Sequence, residues 1–475
     1  MALNLAHANL LLISLILPCY FLYVFIIACV SKRDPSRKFT VGLFHPYCNA
    51  GGGGERVLWV ALKSLQQKYP EFQYVVYTGD VSVTAEQMIT NAKSRFNIEL
   101  DPENIQFVYL KKRNWVEAEK YPSFTLIGQS LGSMLLGLEA ITRVHPPDVA
   151  IDTMGYAFTL PIFKYLGGSN VGCYVHYPTI STDMLNKVSS GMESYNNQNF
   201  VAKSSLLSSM KLVYYKIFAK LYSWMGRTSD TVMVNSSWTE NHINQLWQIP
   251  AKTFKVYPPC DTEEFKKIIQ PEDDSKKNGF RIVSVAQFRP EKDHPMQLRA
   301  LNQLRKIVTA EVWNQIKLVL IGSVRNEDDE RRVNDLRKLS KELHIDDNVE
   351  FHLNVSFDEL KKQLAEGLIG IHTMWNEHFG IGIVESMAAG LIMVAHKSGG
   401  PLMDIVAQKN SNLFCNGFHA EDEDEYAEAI NKILKFTPKQ RQEIRLKARK
   451  SVDRFSETQF SNGFLRVIEP LLKST

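Results

Sequence analysis

The stretch LIGIHTMWNEHFGIGIVESMAAGLIMVAH, Leu368 to His396, decides the fold class. Its opening residues, Leu368–Thr373, form an apolar run of strand length. A glycine-punctuated loop holding Glu377 follows. A helix starting near Gly380–Gly382 carries Glu385, and Leu391–Ala395 is a second strand-length run. Strand, helix and strand in so short a span imply a parallel βαβ unit. In parallel sheets ligands bind at the strands' C-terminal ends, which is where Glu377 falls.

The same alternation extends in both directions. Strand-like runs occur at Arg281–Gln287, Lys317–Ile321 and Asn348–Leu353. Upstream they occur at Lys38–His45, Gln73–Tyr77, Ile105–Leu110, Asp148–Thr153, Val171–His176 and Thr231–Asn235. Helical stretches separate most of them, with Glu55–Lys68 the first. Ser237-Trp-Thr-Glu240 reads as a capping box opening another. The pattern breaks at Tyr257-Pro-Pro-Cys-Asp261 and again in the polar, turn-rich segment Pro271–Gly279. The expected architecture is therefore α/β, with two Rossmann-like parallel-sheet domains facing a cleft. The boundaries are 38–258 and 259–454.

Ahead of them, Leu10–Val30 is almost wholly apolar and uncharged. As a helix it would be about 31 Å long, enough to span a bilayer. No Lys or Arg precedes it, whereas Lys32, Arg33, Arg37 and Lys38 follow. That flank predicts a retained anchor with the body in the cytosol. The 475-residue chain as a whole is 44% hydrophobic with a net charge of +4, which gives no ground for a disordered chain or for nucleic acid as a partner. Six scattered cysteines without a CxxC pair do not form a disulfide framework.

Several residue groups carry candidate chemistry. Gly51, Gly52, Gly53 and Gly54 lie between a strand and a helix, where backbone can approach an anion. Arg289 and Lys292 follow the first strand of the second domain, and two cations there can clamp a diphosphate. Glu377 and Glu385 are eight residues apart, about 12 Å along a continuous helix. That suits two different parts of one ligand, Glu377 a sugar and Glu385 a ribose. A helix start near Phe379, Gly380 and Ile381 would turn its N–H groups to phosphate. His176, ending a strand, suits hydrogen bonding to a sugar or a reacting hydroxyl. Ser398-Gly-Gly-Pro401 suits either a ligand-approaching loop or an ordinary turn. The acidic run Glu421–Glu425 opens a helix rather than binding metal. Leu206–Arg227 mixes aromatics with lysines, which suits a bilayer surface or packing on its own domain equally well.

The span Glu377–Glu385 matches the E-x-seven-E motif of retaining GT-B glycosyltransferases of family four, and Arg289 with Lys292 match that family's diphosphate pair. The segments His45–Val57, His176–Asp183 and His372–Gly380 narrow the resemblance to the GDP-mannose-dependent α-1,2-mannosyltransferases of asparagine-linked glycosylation. The resemblance implies GDP-mannose as donor and a dolichol-diphosphate-linked oligosaccharide as acceptor, at the cytosolic face of the endoplasmic reticulum membrane. It also implies catalysis without a metal, the first domain as the acceptor side, and association with other cytosolic-face mannosyltransferases. The C-terminal helix, 455–475, would return to the first domain. Two alternatives differ in kind. One is another cytosolic GT-B enzyme, such as the N-acetylglucosaminyltransferase of glycolipid-anchor synthesis, against which Trp375-Asn-Glu-His-Phe379 speaks. The other is a silent membrane scaffold, which would have lost some of these charged residues.

Overall fold

A computed structural model describes residues 37–184, 205–270, 279–407 and 415–473. The expected membrane span, 10–30, and the polar loop up to residue 278 lie outside them. Among the described residues no helix is long and apolar enough to cross a membrane. Two compact units are present. One comprises the described chain up to Asn235, Thr239–Val256 and the residues from Ser461 on; the other comprises Ser236–Trp238 and Tyr257–Phe460.

The first unit is a seven-stranded sheet: β1 (Thr40–Phe44), β2 (Gln73–Thr78), β3 (Ile105–Tyr109), β4 (Val149–Asp152), β5 (Asn170–Val175), β6 (Thr231–Val234) and β7 (Thr253–Lys255). Its order is β3-β2-β1-β4-β5-β6-β7, and every pairing is parallel. Strands β1, β4 and β6 are buried along their whole length, so both faces are covered and the apolar runs are nearly continuous. Helix Ser205–Gly226 lays Tyr215, Phe218 and Tyr222 into this core, where Phe218 stacks on Phe158 and Tyr222 meets Trp247 edge-on. The final helix, Glu457–Lys473, joins the first unit from Ser461 onward. There Ser64 Oγ donates to Ser461 Oγ at 2.7 Å and Asn170 Nδ2 to the Leu471 carbonyl at 3.0 Å.

The second unit has β8 (Phe280–Val285), β9 (Ile316–Gly322), β10 (Val349–Leu353), β11 (Gly367–His372), β12 (Ile392–His396) and β13 (Gly417–Ala420), all parallel, in the order β10-β9-β8-β11-β12-β13. In each sheet the direction of winding reverses beside the first strand, between β1 and β4 and between β8 and β11. Such a reversal leaves a crevice at the strands' C-terminal ends.

Two strands, β7 and β13, were not expected from the sequence. Thr253-Phe-Lys255 has two of its three residues exposed, and Gly417-Phe-His-Ala420 contains no continuous apolar run. The expected capping box at Ser237 is also corrected. Ser237 is the first helical residue, and the Asp404 carboxylate accepts from its backbone N–H at 2.7 Å and its hydroxyl at 2.6 Å. A carboxylate is a stronger partner for a helix start than a neutral hydroxyl. The acidic run opens helix Glu423–Lys435, with Asp422 accepting from the Asp424 and Glu425 amides. Cys48, Cys173, Cys260 and Cys415 are buried free thiols.

Candidate active site

The second unit gathers its charged residues at the ends of β8 and β11. After β8 the chain turns through Arg289 into a short 3-10 turn, Pro290–Lys292. Thr373, just past β11, ties the two strand ends together. Its Oγ1 lies 2.7 Å from the Lys292 carbonyl and 3.0 Å from that of Asp293, and it accepts from Gln297 Nε2 at 3.0 Å. Lys292 Nζ donates to Glu377 Oε2 and lies 3.2 Å from Met374 Sδ. Glu377 Oε2 also meets His372 Nε2 at 3.0 Å.

Burial alone would raise the Glu377 carboxyl, but the Lys292 ammonium and the His372 hydrogen bond outweigh it. They hold the group well below the ordinary carboxylate range. Glu377 is therefore an anion at neutral pH. It can accept hydrogen bonds from sugar hydroxyls but cannot serve as the acid of a glycosidase, which needs a raised carboxyl. His372 is pushed down chiefly by burial, with the Glu377 hydrogen bond opposing. Beside them His294 stacks on Phe288 at 5.0 Å and is pushed down to about 4, by burial first and then by His372 and Lys292.

The loop carrying Glu377 is held by the next one. Asn376 has φ 52° and Gly380 φ 113°, both left-handed. The Asn376 amide donates to Ser398 Oγ at 2.7 Å, and Ser398 Oγ lies 2.9 Å from His396 Nδ1. The Gly400 amide donates to the Glu377 carbonyl at 2.8 Å. A methyl group on Gly399 would sit 2.3 Å from that same carbonyl oxygen. Of the two readings of Ser398–Pro401, the close approach is therefore real, but it is made to the Glu377 loop.

The remaining predicted residues fall as follows. Arg289 is 42% exposed at the side chain, with Glu291 3.9 Å away, so it stands open beside the paired Lys292. Glu385 is half-buried in helix Ile381–Ala389, which starts after Gly380. The Phe379 ring is not exposed for a ligand: it packs on Tyr257 and Phe455 at 5.8 and 5.2 Å. The neighbouring Ile381 is half-buried against that cluster.

In the first unit the glycine loop leads into helix Gly53–Lys68. Gly51 has φ +78°, which only glycine adopts freely. The Gly52 amide donates to the Glu55 carboxylate at 2.5 Å, so the helix start is capped by its own side chain. A methyl at Gly54 would lie 3.7 Å from His176 and 3.8 Å from His45. His45 directly follows β1 and is fully buried. Its Nδ1 lies 2.8 Å from Thr153 Oγ1 and its Nε2 3.6 Å from Glu55. His176 Nε2 donates to the Thr153 carbonyl at 2.9 Å. Burial pushes Glu55 up, but His45 and the Gly52 amide leave it below its ordinary value. His45, Glu55 and His372 were not singled out from the sequence, although each lies inside a motif that was. Their one signal was a polar residue at the end of an otherwise apolar strand or at the third position of a helix.

Residues 38–247 match the family described as ALG11 mannosyltransferase N-terminus, and residues 265–451 match Glycosyl transferases group 1. The GDP-Man:Man(3)GlcNAc(2)-PP-Dol alpha-1,2-mannosyltransferase of Xenopus laevis is 54% identical, over 93% of this chain and 89% of its own. The Homo sapiens protein of the same name is 54% identical over the same shares. The chain belongs to this alpha-1,2-mannosyltransferase family. Among solved structures, Anabaena HepE in complex with UDP-glucose superposes with a TM-score of 0.62 at 16% identity, over 91% of this chain and 99% of that one. That likeness shows the GT-B fold alone.

In this family member the Lys292–Glu377 pair makes acid stability predictable. Glu377 has a lowered value in the folded state. Its contribution is present above its ordinary value of 4.5 and is lost as pH falls through the lower folded value. The melting-temperature gap between wild type and Lys292→Met is therefore widest near about pH 7 and narrows towards about pH 3. Thermal denaturation across that range checks it, and a gap that widens in acid contradicts it.

Proposed function

We propose that this chain transfers mannose from GDP-mannose in α-1,2 linkage, with retention, to Man3GlcNAc2-diphosphodolichol, adding the fourth and fifth mannoses. The observation that carries this reading is the 54% identity, across 93% of this chain, to relatives named for that reaction. Residues 10–30 would anchor the protein in the endoplasmic reticulum membrane with its body in the cytosol.

The residue roles follow from chemistry. Arg289 offers a planar fork and Lys292 a point charge to the donor diphosphate. Charge develops there as the bond from the anomeric carbon to the phosphate oxygen breaks, and fixed cations stabilise it. The new bond forms to an acceptor hydroxyl oxygen, whose proton passes to the departing phosphate. Glu377, ionised and braced by His372, accepts from mannose hydroxyls. Glu385 accepts from the ribose, and the main chain at Phe379, Gly380 and Ile381 faces phosphate. Gly51–Gly54 and His176 are the first unit's contribution to substrate binding. With two cations meeting the diphosphate, no metal ion is required.

The test is incubation of the detergent-solubilised protein with labelled GDP-mannose and a lipid-diphosphate-linked trimannosyl chitobiose, in EDTA. Growth of the acceptor by one or two hexoses, removable by an α-1,2-specific mannosidase, is expected. Folded protein that yields no product from GDP-mannose, or a product resistant to that mannosidase, would sink the reading.

A further inference from the structure

Helix Ser205–Gly226 buries one face in the first unit and presents another to solvent. Outward-facing are Met210 (62% exposed), Val213, Ile217 and Trp224 (69% exposed). Lys216 and Lys220 are exposed as well. At about 100° per residue, the four apolar side chains fall within roughly 60° of arc, and both lysines within roughly 40° just beside it. The helix contains no Asp or Glu. Across the other border of the apolar strip lies Tyr214, whose hydroxyl accepts from the Ile127 amide at 3.3 Å and whose ring meets Phe124 edge-on at 5.3 Å. Phe124 is 67% exposed at the start of helix Thr125–Arg143, and Leu131 and Leu135 one turn apart on that helix are exposed too. Folded proteins seldom leave so many large apolar groups contiguous in water.

From this sorting of exposed residues we infer that the face formed by helices Ser205–Gly226 and Thr125–Arg143 seats the first unit on an anionic phospholipid surface. An apolar strip bordered by lysines, without a single acidic group on its helix, is the pattern of a helix lying in the bilayer interface. The long lysine stems allow the ammonium groups to reach lipid phosphates while the strip enters the acyl boundary. A protein partner for the strip would not require its two exposed cations to be gathered along one border; the helix's third lysine, Lys211, is half-buried on the far side with its ammonium over the Tyr215 ring. This contact is separate from any anchor formed by residues 10–30. It would fix the height and tilt of the first unit over a lipid-linked substrate.

The test uses the full chain in vesicles. Ile217→Cys, in a Cys19→Ser/Cys29→Ser background, carries an environment-sensitive fluorophore; Lys93→Cys on helix Ala85–Phe96 is the reference. Phosphatidylcholine vesicles with and without phosphatidylserine contain doxyl lipids labelled near the headgroup or deep in the chain. The expected result is a blue shift at Ile217→Cys, with shallow-label quenching several-fold above the reference and stronger with phosphatidylserine. Lys216→Glu/Lys220→Glu should abolish the phosphatidylserine dependence. Quenching no greater than at the reference overturns the inference. So does a blue-shifted label that lipid quenchers do not reach, because the strip is then covered by the chain's own apolar segment or by a second copy.

Discussion

Lys292→Ala lowers kcat/KM for mannosyl transfer by about 10²–10³, the effect of removing one fixed charge from a developing anion. The loss falls mainly on kcat, because the interaction strengthens as the diphosphate departs. The same change leaves the Glu377 carboxylate buried with His372 as its remaining partner. Breaking a buried pair from one side costs about 3–5 kcal/mol, and the 21% exposure of Lys292 places this case towards the low end. Reduced activity must therefore be measured well below the variant's melting temperature. Lys292→Met/Glu377→Gln removes both charges and should recover much of the stability while recovering none of the activity. Rates with wild-type kcat in either variant would remove Lys292 from the site.

Gly399→Ala is expected to slow transfer by about 10²-fold although it changes no charged group, because a displacement near 1 Å in a positioned group has that effect. The new methyl would meet the Glu377 carbonyl at 2.3 Å, and φ of +56° opposes any side chain. The left-handed backbone costs about 1–2 kcal/mol, and the clash forces the Glu377 loop away from Lys292. Steady-state kinetics together with thermal denaturation test this. A variant that melts lower yet transfers at the wild-type rate would show that the loop's position does not matter to the reaction.

The fold was legible because its central strands are apolar runs buried on both faces, as β1, β4 and β11 illustrate. Strands β7 and β13 were not, since Thr253-Phe-Lys255 and Gly417-Phe-His-Ala420 contain no continuous apolar run. Ser237 shows the limit of local signals: its helix start is completed by Asp404, 167 residues away, which no window can see. The charged residues of the site could be read from their motifs, but their pairing could not. Lys292 meets Glu377 because β8 and β11 pair side by side, with Thr373 tying the turn after one to the end of the other. His45 and His372 read as strand residues, and it is the fold that turns them towards Glu55 and Glu377. Helix Ser205–Gly226 suited burial or a bilayer surface from sequence alone, and the structure divides its faces between core and solvent.

In the proposed reaction Glu377 holds the donor's sugar and Lys292 its diphosphate. Equilibrium titration of GDP-mannose and of GDP, both in EDTA, into wild type, Glu377→Ala and Lys292→Ala tests it most directly. Glu377→Ala is expected to bind GDP as wild type does but to lose the additional affinity for GDP-mannose, whereas Lys292→Ala is expected to weaken the binding of both ligands. Glu377→Ala binding both ligands as wild type does, or Lys292→Ala leaving GDP affinity unchanged, would contradict it.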